Sequence, residues 1–174
     1  MAPVSRVFAR PVVLLLVLSV PCHDARPAGA GGHLFVIERN LNANAVAYDV
    51  VTTGTGRLDP GSPLRVYWVM RAEQGQMREL DTLERSWAYG YDVRSCGADA
   101  CTISLRALRT RPIVVEMKGD SPRAITSIDR ARAVLRRVFV TVARGGLLPS
   151  VESVELFGES CEDASPQYER IAGR

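Results

Sequence analysis

Apolar residues recur along this chain in short runs with a period near two, and turn signals close each run. Residues 33–39 (HLFVIER) and 45–52 (AVAYDVVT) come first, then 63–71 (PLRVYWVMR) after a Gly- and Pro-rich loop, TGTGRLDPGSP, over 53–63. Further runs cover 88–95, 101–108, 110–119, 123–128 and 150–158. Their β-branched and aromatic side chains suit a pleated, half-buried surface. Residues 79–87 (ELDTLERSW) break the pattern. Leu80, Leu83 and Trp87 fall at helical spacing, and Asp81 with Glu84 makes a D-x-x-E capping pair, so a short helix is expected. Residues 127–144 fit both periods. Ile128, Ala131, Leu135, Val138 and Val142 would share a helical face, while Val138, Val140 and Val142 alternate; the density of β-branched residues in VFVTV favours a strand over 133–143. The sum is an all-β domain: a single antiparallel β-barrel or tightly folded β-sandwich of about 8–9 short strands with one short helix. Residues 31–160 form that one domain, and the polar segment 161–174 is expected to be a frayed tail.

Residues 1–30 read as a secretory signal. Arg6 and Arg10 give a basic start, VVLLLVLSV over 12–20 is a short apolar core, and Ala28, Gly29 and Ala30 are small, which predicts a mature chain beginning near Gly31. The apolar core falls far short of the ~20 residues that span a bilayer. Cys22 opens a second route, lipid anchoring, which Pro21 directly before it disfavours. The expected location is exported, periplasmic or extracellular, with membrane association only if Cys22 is lipidated. Processing also changes the charge. The whole chain carries 22 Lys and Arg against 19 Asp and Glu; without Arg6, Arg10, Arg26 and Asp24 it holds 19 against 18, a net +1. A nearly neutral domain is a poor match for nucleic acid.

Export implies an oxidising compartment. Cys96 and Cys101 bracket a four-residue turn between two strand-like runs, which predicts a disulfide at a hairpin neck. The closed loop is short, so its stabilisation is about 2 kcal/mol. Cys161 is left over, to pair with Cys22 or to stay a buried thiol. Zinc needs four ligands, and past residue 30 the chain offers three cysteines and His33. No metal or cofactor is expected. The same lone histidine leaves no Ser–His or Cys–His dyad, and HExxH, P-loop and GxGxxG motifs are absent. A carboxylate pair such as Glu84 with Asp92 carries no signal, because so many carboxylates always offer some pair. No catalytic residue is assigned.

The candidate binding residues are polar and aromatic. NLNAN, with Asn40, Asn42 and Asn44, fits a hairpin turn, since Asn tolerates positive φ and caps turns with its amide; on that reading Gly should replace a structural Asn more cheaply than Ala. Flanked by Arg39 and Tyr48, the same amides could instead rim a site for a small-molecule, glycan or peptide ligand. Tyr67 and Trp68 point to opposite faces of a strand. Trp87, Tyr89 and Tyr91 share a parity and, if extended, one face, as core packing or as a stacking wall. Ala45, Ala47 and Gly90 facing inward would leave a cavity; large residues would fill it. Arg130, Arg132, Arg136 and Arg137 read as a solvated strand edge, or as a contact for anionic lipid or cell-wall polymer.

These stretches resemble the bacterial exported proteins grouped as the domain of unknown function 4833 family. The resemblance rests on Phe35, Arg39, Asn40 and the N-x-N-x-V-x-Y element of Asn42, Asn44, Val46 and Tyr48. Tyr67, Trp68, Glu84 and the run Ala88, Tyr89, Gly90 add to it, and it continues through LRALRTRPI and RVFVTV to VESVELFG, about residues 34 to 158. Cys96 and Cys101 stand outside the family pattern. The resemblance implies a small exported domain and no activity. Two functions stay open: a non-catalytic binder of a small or polar ligand in the cell envelope, or a structural or protein-interaction domain with a filled core.

Overall fold

The computed structural model describes residues 30–97, 99–143 and 150–173. The expected secretory segment, with Cys22, lies outside them except for Ala30. Within them the chain is all-β, as its periodicity predicts. One sheet holds β1 (Ala30–Arg39), β2 (Asn42–Val51), β3 (Leu64–Met70), β4 (Gln76–Glu79), β5 (Tyr91–Cys96), β6 (Ala100–Leu105), β7 (Leu108–Lys118), β8 (Ser121–Ile128), β9 (Ala131–Ala143), β10 (Ser150–Ser160) and β11 (Pro166–Ala172). The helix expected over 79–87 shrinks to a π-type turn, Glu84–Tyr89. Its predicted capping pair forms: the Glu84 N–H donates to Asp81 Oδ1 (2.7 Å), and the Asp81 N–H donates to Glu84 Oε2 (2.9 Å).

The segment that fitted both periods is β9, and it organises the sheet. β10 pairs along almost its whole length in antiparallel fashion. On the other edge β8 pairs with Ala131–Val134, and β1 then takes over, parallel, across Arg137–Val140. The ladder is therefore not antiparallel throughout, as expected from the sequence, and the sheet forks at β9. One wing runs β1-β2-β3-β4 and the other β8-β7-β6-β5. β10 bends past the fork with a register shift between Phe157 and Gly158. A Cβ at Gly158 would stand 2.5 Å from the Val134 carbonyl oxygen, so only glycine allows that approach.

The wings curl toward each other into a half-barrel. Their outermost strands, β4 and β5, do not pair with each other; the π turn links them in sequence. Side chains close the gap. The Tyr91 hydroxyl donates to the Leu64 carbonyl (2.9 Å) and accepts from the Leu64 N–H (3.1 Å). The Tyr48 hydroxyl donates to the Tyr89 carbonyl (2.6 Å) in the buried interior. Around these bonds Phe35, Val46, Tyr48, Trp68, Ile103, Ile113, Leu135 and Leu156 form a continuous apolar core. Phe35 stacks on Tyr48 with ring centroids 4.5 Å apart. The interior is thus filled by large side chains. Ala45 and Ala47 are buried but stand outside this core, on the opposite parity from Val46 and Tyr48, so they leave no central cavity.

Two further expectations are corrected. The polar segment 161–174 contains β11, which pairs with β10 from Ser153 to Glu159. Glu169 ties it down: one carboxylate oxygen accepts from Arg111 (2.6 Å), the other from the Asp129 N–H (2.8 Å). The arginine run is no solvated edge, because β9 is paired on both sides. Arg130 occupies the β8–β9 turn at positive φ (69°). Arg136 pairs with Glu159 (2.8 Å), Arg132 lies 3.8 Å from Glu116, and Arg137 reaches Glu38 (3.4 Å) and covers the Phe157 ring at 4.0 Å.

Candidate binding groove at the mouth of the half-barrel

Each asparagine has a backbone partner. Asn40 pairs like an added peptide unit: its Oδ1 accepts from the Val142 N–H (3.0 Å) and its Nδ2 donates to the Val142 carbonyl (3.2 Å). This extends the parallel β1–β9 ladder by one side chain, beside the bond from the Asn40 N–H to the Val140 carbonyl (3.3 Å). Asn42 Oδ1 accepts from the Asn44 N–H (2.9 Å), and Asn44 Oδ1 accepts from the Arg71 N–H (3.1 Å) at the start of the 3-10 turn Arg71–Glu73. The turn is shorter than NLNAN: it is Asn40 and Leu41, Asn42 and Asn44 already lie in β2, and none of the three asparagines adopts positive φ. The amides act by pairing backbone groups, not by tolerating a left-handed conformation.

With Asn40 anchored to Val142, the end of β1 carries Arg39 into the space between β9, β10 and the π turn. A groove of about 260 Å³ opens there. Ile37 and Arg39 come from β1, Val140 and Val142 from β9, Val151 and Val154 from β10. Trp87, Ala88 and Tyr89 come from the π turn. The shared face expected for Trp87, Tyr89 and Tyr91 does not form, because the turn winds through this stretch: Trp87 is 82% exposed while Tyr89 is buried. Gly90 ends the turn tightly, since a Cβ there would fall 1.9 Å from the Arg85 carbonyl oxygen.

Electrostatics set this groove apart from the rest of the barrel. The Arg39 guanidinium lies over two rings, 5.3 Å from the centroid of Tyr89 and 5.7 Å from that of Trp68, which themselves meet edge to face at 5.1 Å. Arg78 also covers Trp68, at 5.8 Å, but Glu84 neutralises it at 2.9 Å. Arg39 has no hydrogen bond or carboxylate partner among the described residues. Beneath it, Trp68 Nε1 and the Tyr89 hydroxyl are buried without hydrogen-bond partners among the described residues, which is rare for such groups. Burial pushes the Tyr89 phenol up to about 12, with the Arg39 charge opposing and Glu84 reinforcing. Tyr48 is held well above its ordinary value by its burial, then by Tyr89. Both are neutral phenols at physiological pH.

Of the residues expected to form a site, Arg39, Trp87 and Tyr89 line the groove, with Trp68 directly under the guanidinium. Tyr48 lies in the core and reaches the site through the Tyr89 carbonyl. Tyr67 faces the other way, donating its hydroxyl to Asp49 Oδ2 (2.8 Å), while His33 Nδ1 meets Asp49 Oδ1 (2.9 Å). Reading the sequence missed this His33–Asp49–Tyr67 chain; the signal was a carboxylate inside the apolar run AVAYDVV. Cys96 and Cys101 sit directly opposite each other across β5 and β6, joined by the expected disulfide. Cys101 is fully buried, and Cys161 is half-buried with no disulfide partner among the described residues.

A family model for a domain of unknown function, DUF4833, matches residues 35–170, from the middle of β1 into β11. The chain belongs to this family. No curated protein and no solved structure matches it. The match takes in every element of the half-barrel, so the DUF4833 domain and the forked sheet are one unit. It also takes in the whole lining of the groove, from Ile37 to Val154.

Proposed function

We propose that this DUF4833 protein is an exported, non-catalytic binding domain whose groove takes a small amphipathic anion. The apolar body of the ligand would lie against Ile37, Val140, Val142 and Val154, and its carboxylate would meet Arg39. One observation carries the reading: a guanidinium lying over two aromatic rings inside an apolar groove, with no carboxylate of the described residues against it. A partly desolvated cation gains most from a bidentate oxyanion, and the planar fork of arginine suits a carboxylate. The volume lies just below the roughly 300–1,000 Å³ of typical ligand clefts, which limits the ligand to the size of a medium-chain acid.

Trp68 and Trp87 are the only tryptophans of the chain, and both touch the site or its floor. Titration with octanoate should change their emission saturably, while octylamine, with the same chain and the opposite charge, should not. An equal response to both would leave an apolar surface without anion recognition. The filled interior favours a second reading, a structural or interaction domain without a ligand, which expects no saturable response to either compound.

A further inference from the structure

We infer that the outer edge of β5 is a docking site for an extended peptide, which would add to the sheet as a further strand. Among the described residues β5 pairs with β6 alone. The Arg106 N–H donates to the Gly90 carbonyl (2.9 Å), so in this register Gly90 and Asp92 turn their backbone groups toward β6, and Tyr91 and Val93 turn theirs away. Past the register shift after Val93, the Gly97 N–H donates to the Ala100 carbonyl (2.8 Å), which turns Cys96 away as well. Those same three residues line open space. Tyr91 and Val93 border a cleft of about 380 Å³, and Cys96 borders another of about 500 Å³. The two clefts follow one strand edge. Their far wall is the loop over 53–63 with the start of β3: Ser62 and Leu64 line the first cleft, Leu58 and Pro60 the second.

Two links hold the walls apart. At one end the Tyr91 side chain crosses to both backbone groups of Leu64, at 2.9 and 3.1 Å. At the other, Arg57 of the loop lies 3.8 Å from Asp99 of the β5–β6 turn. The gap is one tyrosine side chain wide, more than the roughly 4.7–4.9 Å between paired strands, so the walls do not pair with each other. An extended chain matches this slot. Its N–H and C=O groups would meet those of Tyr91, Val93 and Cys96, and its alternate side chains would cover Val93, which is 40% exposed. The far wall also selects a free segment. The β5 edge of a second copy would bring its own loop against this one, whereas a single strand enters between the walls. Neither cleft shares a lining residue with the Arg39 groove, so this inference and the anion site can fail separately.

Titration of the ¹⁵N-labelled protein with a capped peptide of alternating valine and threonine, matched to the six residues of β5, tests it. The amide resonances of Tyr91 and Val93 should shift saturably, and both amides should exchange at least tenfold more slowly with peptide bound. The same peptide N-methylated at every second residue keeps its side chains and loses the N–H groups of one edge, and it should bind at least tenfold more weakly to the unaltered protein. Val93→Pro removes one outward N–H. Proline is tolerated on a free strand edge, so this variant should melt like the parent, keep its octanoate response and lose peptide binding by tenfold or more. No saturable shift at Tyr91 and Val93 would overturn the inference. So would equal binding of the methylated peptide, or full binding by Val93→Pro, since either would mean contact without strand addition. Tyr91 and Val93 amides already protected without peptide would mean that the edge is covered by the chain itself. A dimer that Val93→Pro dissolves would make the edge an interface between copies of this chain instead.

Discussion

Replacing Asn40 with Ala removes two hydrogen bonds at once, both to the backbone of Val142, at 3.0 and 3.2 Å. Each side-chain hydrogen bond contributes about 0.5–1.5 kcal/mol net. These two are exposed, so water takes over part of each, and the expected loss is about 1–2 kcal/mol. For a chain of this size that is a fall in Tm of about 2–8 °C. Asn44→Ala loses one bond, across to Arg71, and Asn42→Ala loses one local bond to the Asn44 N–H, so both should cost less than about 1 kcal/mol. Glycine gives a sharper contrast. Because Asn40 is not at positive φ, Asn40→Gly regains no conformational strain and should cost at least as much as Asn40→Ala. Thermal melts give the ranking, and amide exchange localises it: the Val142 N–H, now bonded to Asn40 Oδ1, should exchange faster in both Asn40 variants. An Asn40→Ala protein that melts like the parent with Val142 still protected would refute the side-chain ladder. A glycine variant clearly milder than the alanine variant would restore the left-handed turn.

Tyr48→Phe leaves the Tyr89 carbonyl without its 2.6 Å donor in a buried setting and should cost about 1–3 kcal/mol by denaturant melts. Serine at both Cys96 and Cys101 should cost no more than about 2 kcal/mol, since the closed loop is short, and non-reducing peptide mapping of the parent should recover the two as one linked pair. The phenols make the fold sensitive to alkali. Their folded pKa values are raised, so their contribution is complete below the unfolded value near 10 and is lost as pH rises through the folded one, about 12 for Tyr89. Tyr89→Phe should therefore flatten the alkaline fall in stability. Because its hydroxyl has no partner among the described residues, the change should leave stability at neutral pH within about 1 kcal/mol, which melts at the two pH values would check.

The strands were legible because alternation records burial on one face, and Val154 and Leu156 on β10 show it plainly. The capping pair Asp81–Glu84 was legible because both partners lie within one turn of chain. Partners distant in sequence were not. Alternation says which face of β1 is buried but not that its neighbour is β9 in parallel, so the bond from Asn40 to Val142, 102 residues away, had no local signal. β11 was read as a tail because it pairs along one edge and covers little, which leaves a polar sequence; Glu169 fixes it through groups on β7 and the β8–β9 turn. Arg39, Trp87 and Tyr89 each stood out as residue types, but the groove draws on three strands, a π turn and the β6–β7 turn, which residue parity cannot foresee. His33 stands out in the sequence only as a lone histidine, and the carboxylate that holds it lies in the neighbouring strand.

The proposed role of Arg39 as an oxyanion receptor is tested at the atom concerned by the side-chain N–H resonances of ¹⁵N-labelled protein. The Nε–H of Arg39 should sharpen and shift downfield as octanoate is added, with the indole N–H of Trp87 following the same saturation curve, and Arg39→Gln should abolish that curve while melting like the parent. An Arg39 resonance that stays put at saturating octanoate, or a saturation curve that survives Arg39→Gln unchanged, would contradict the account.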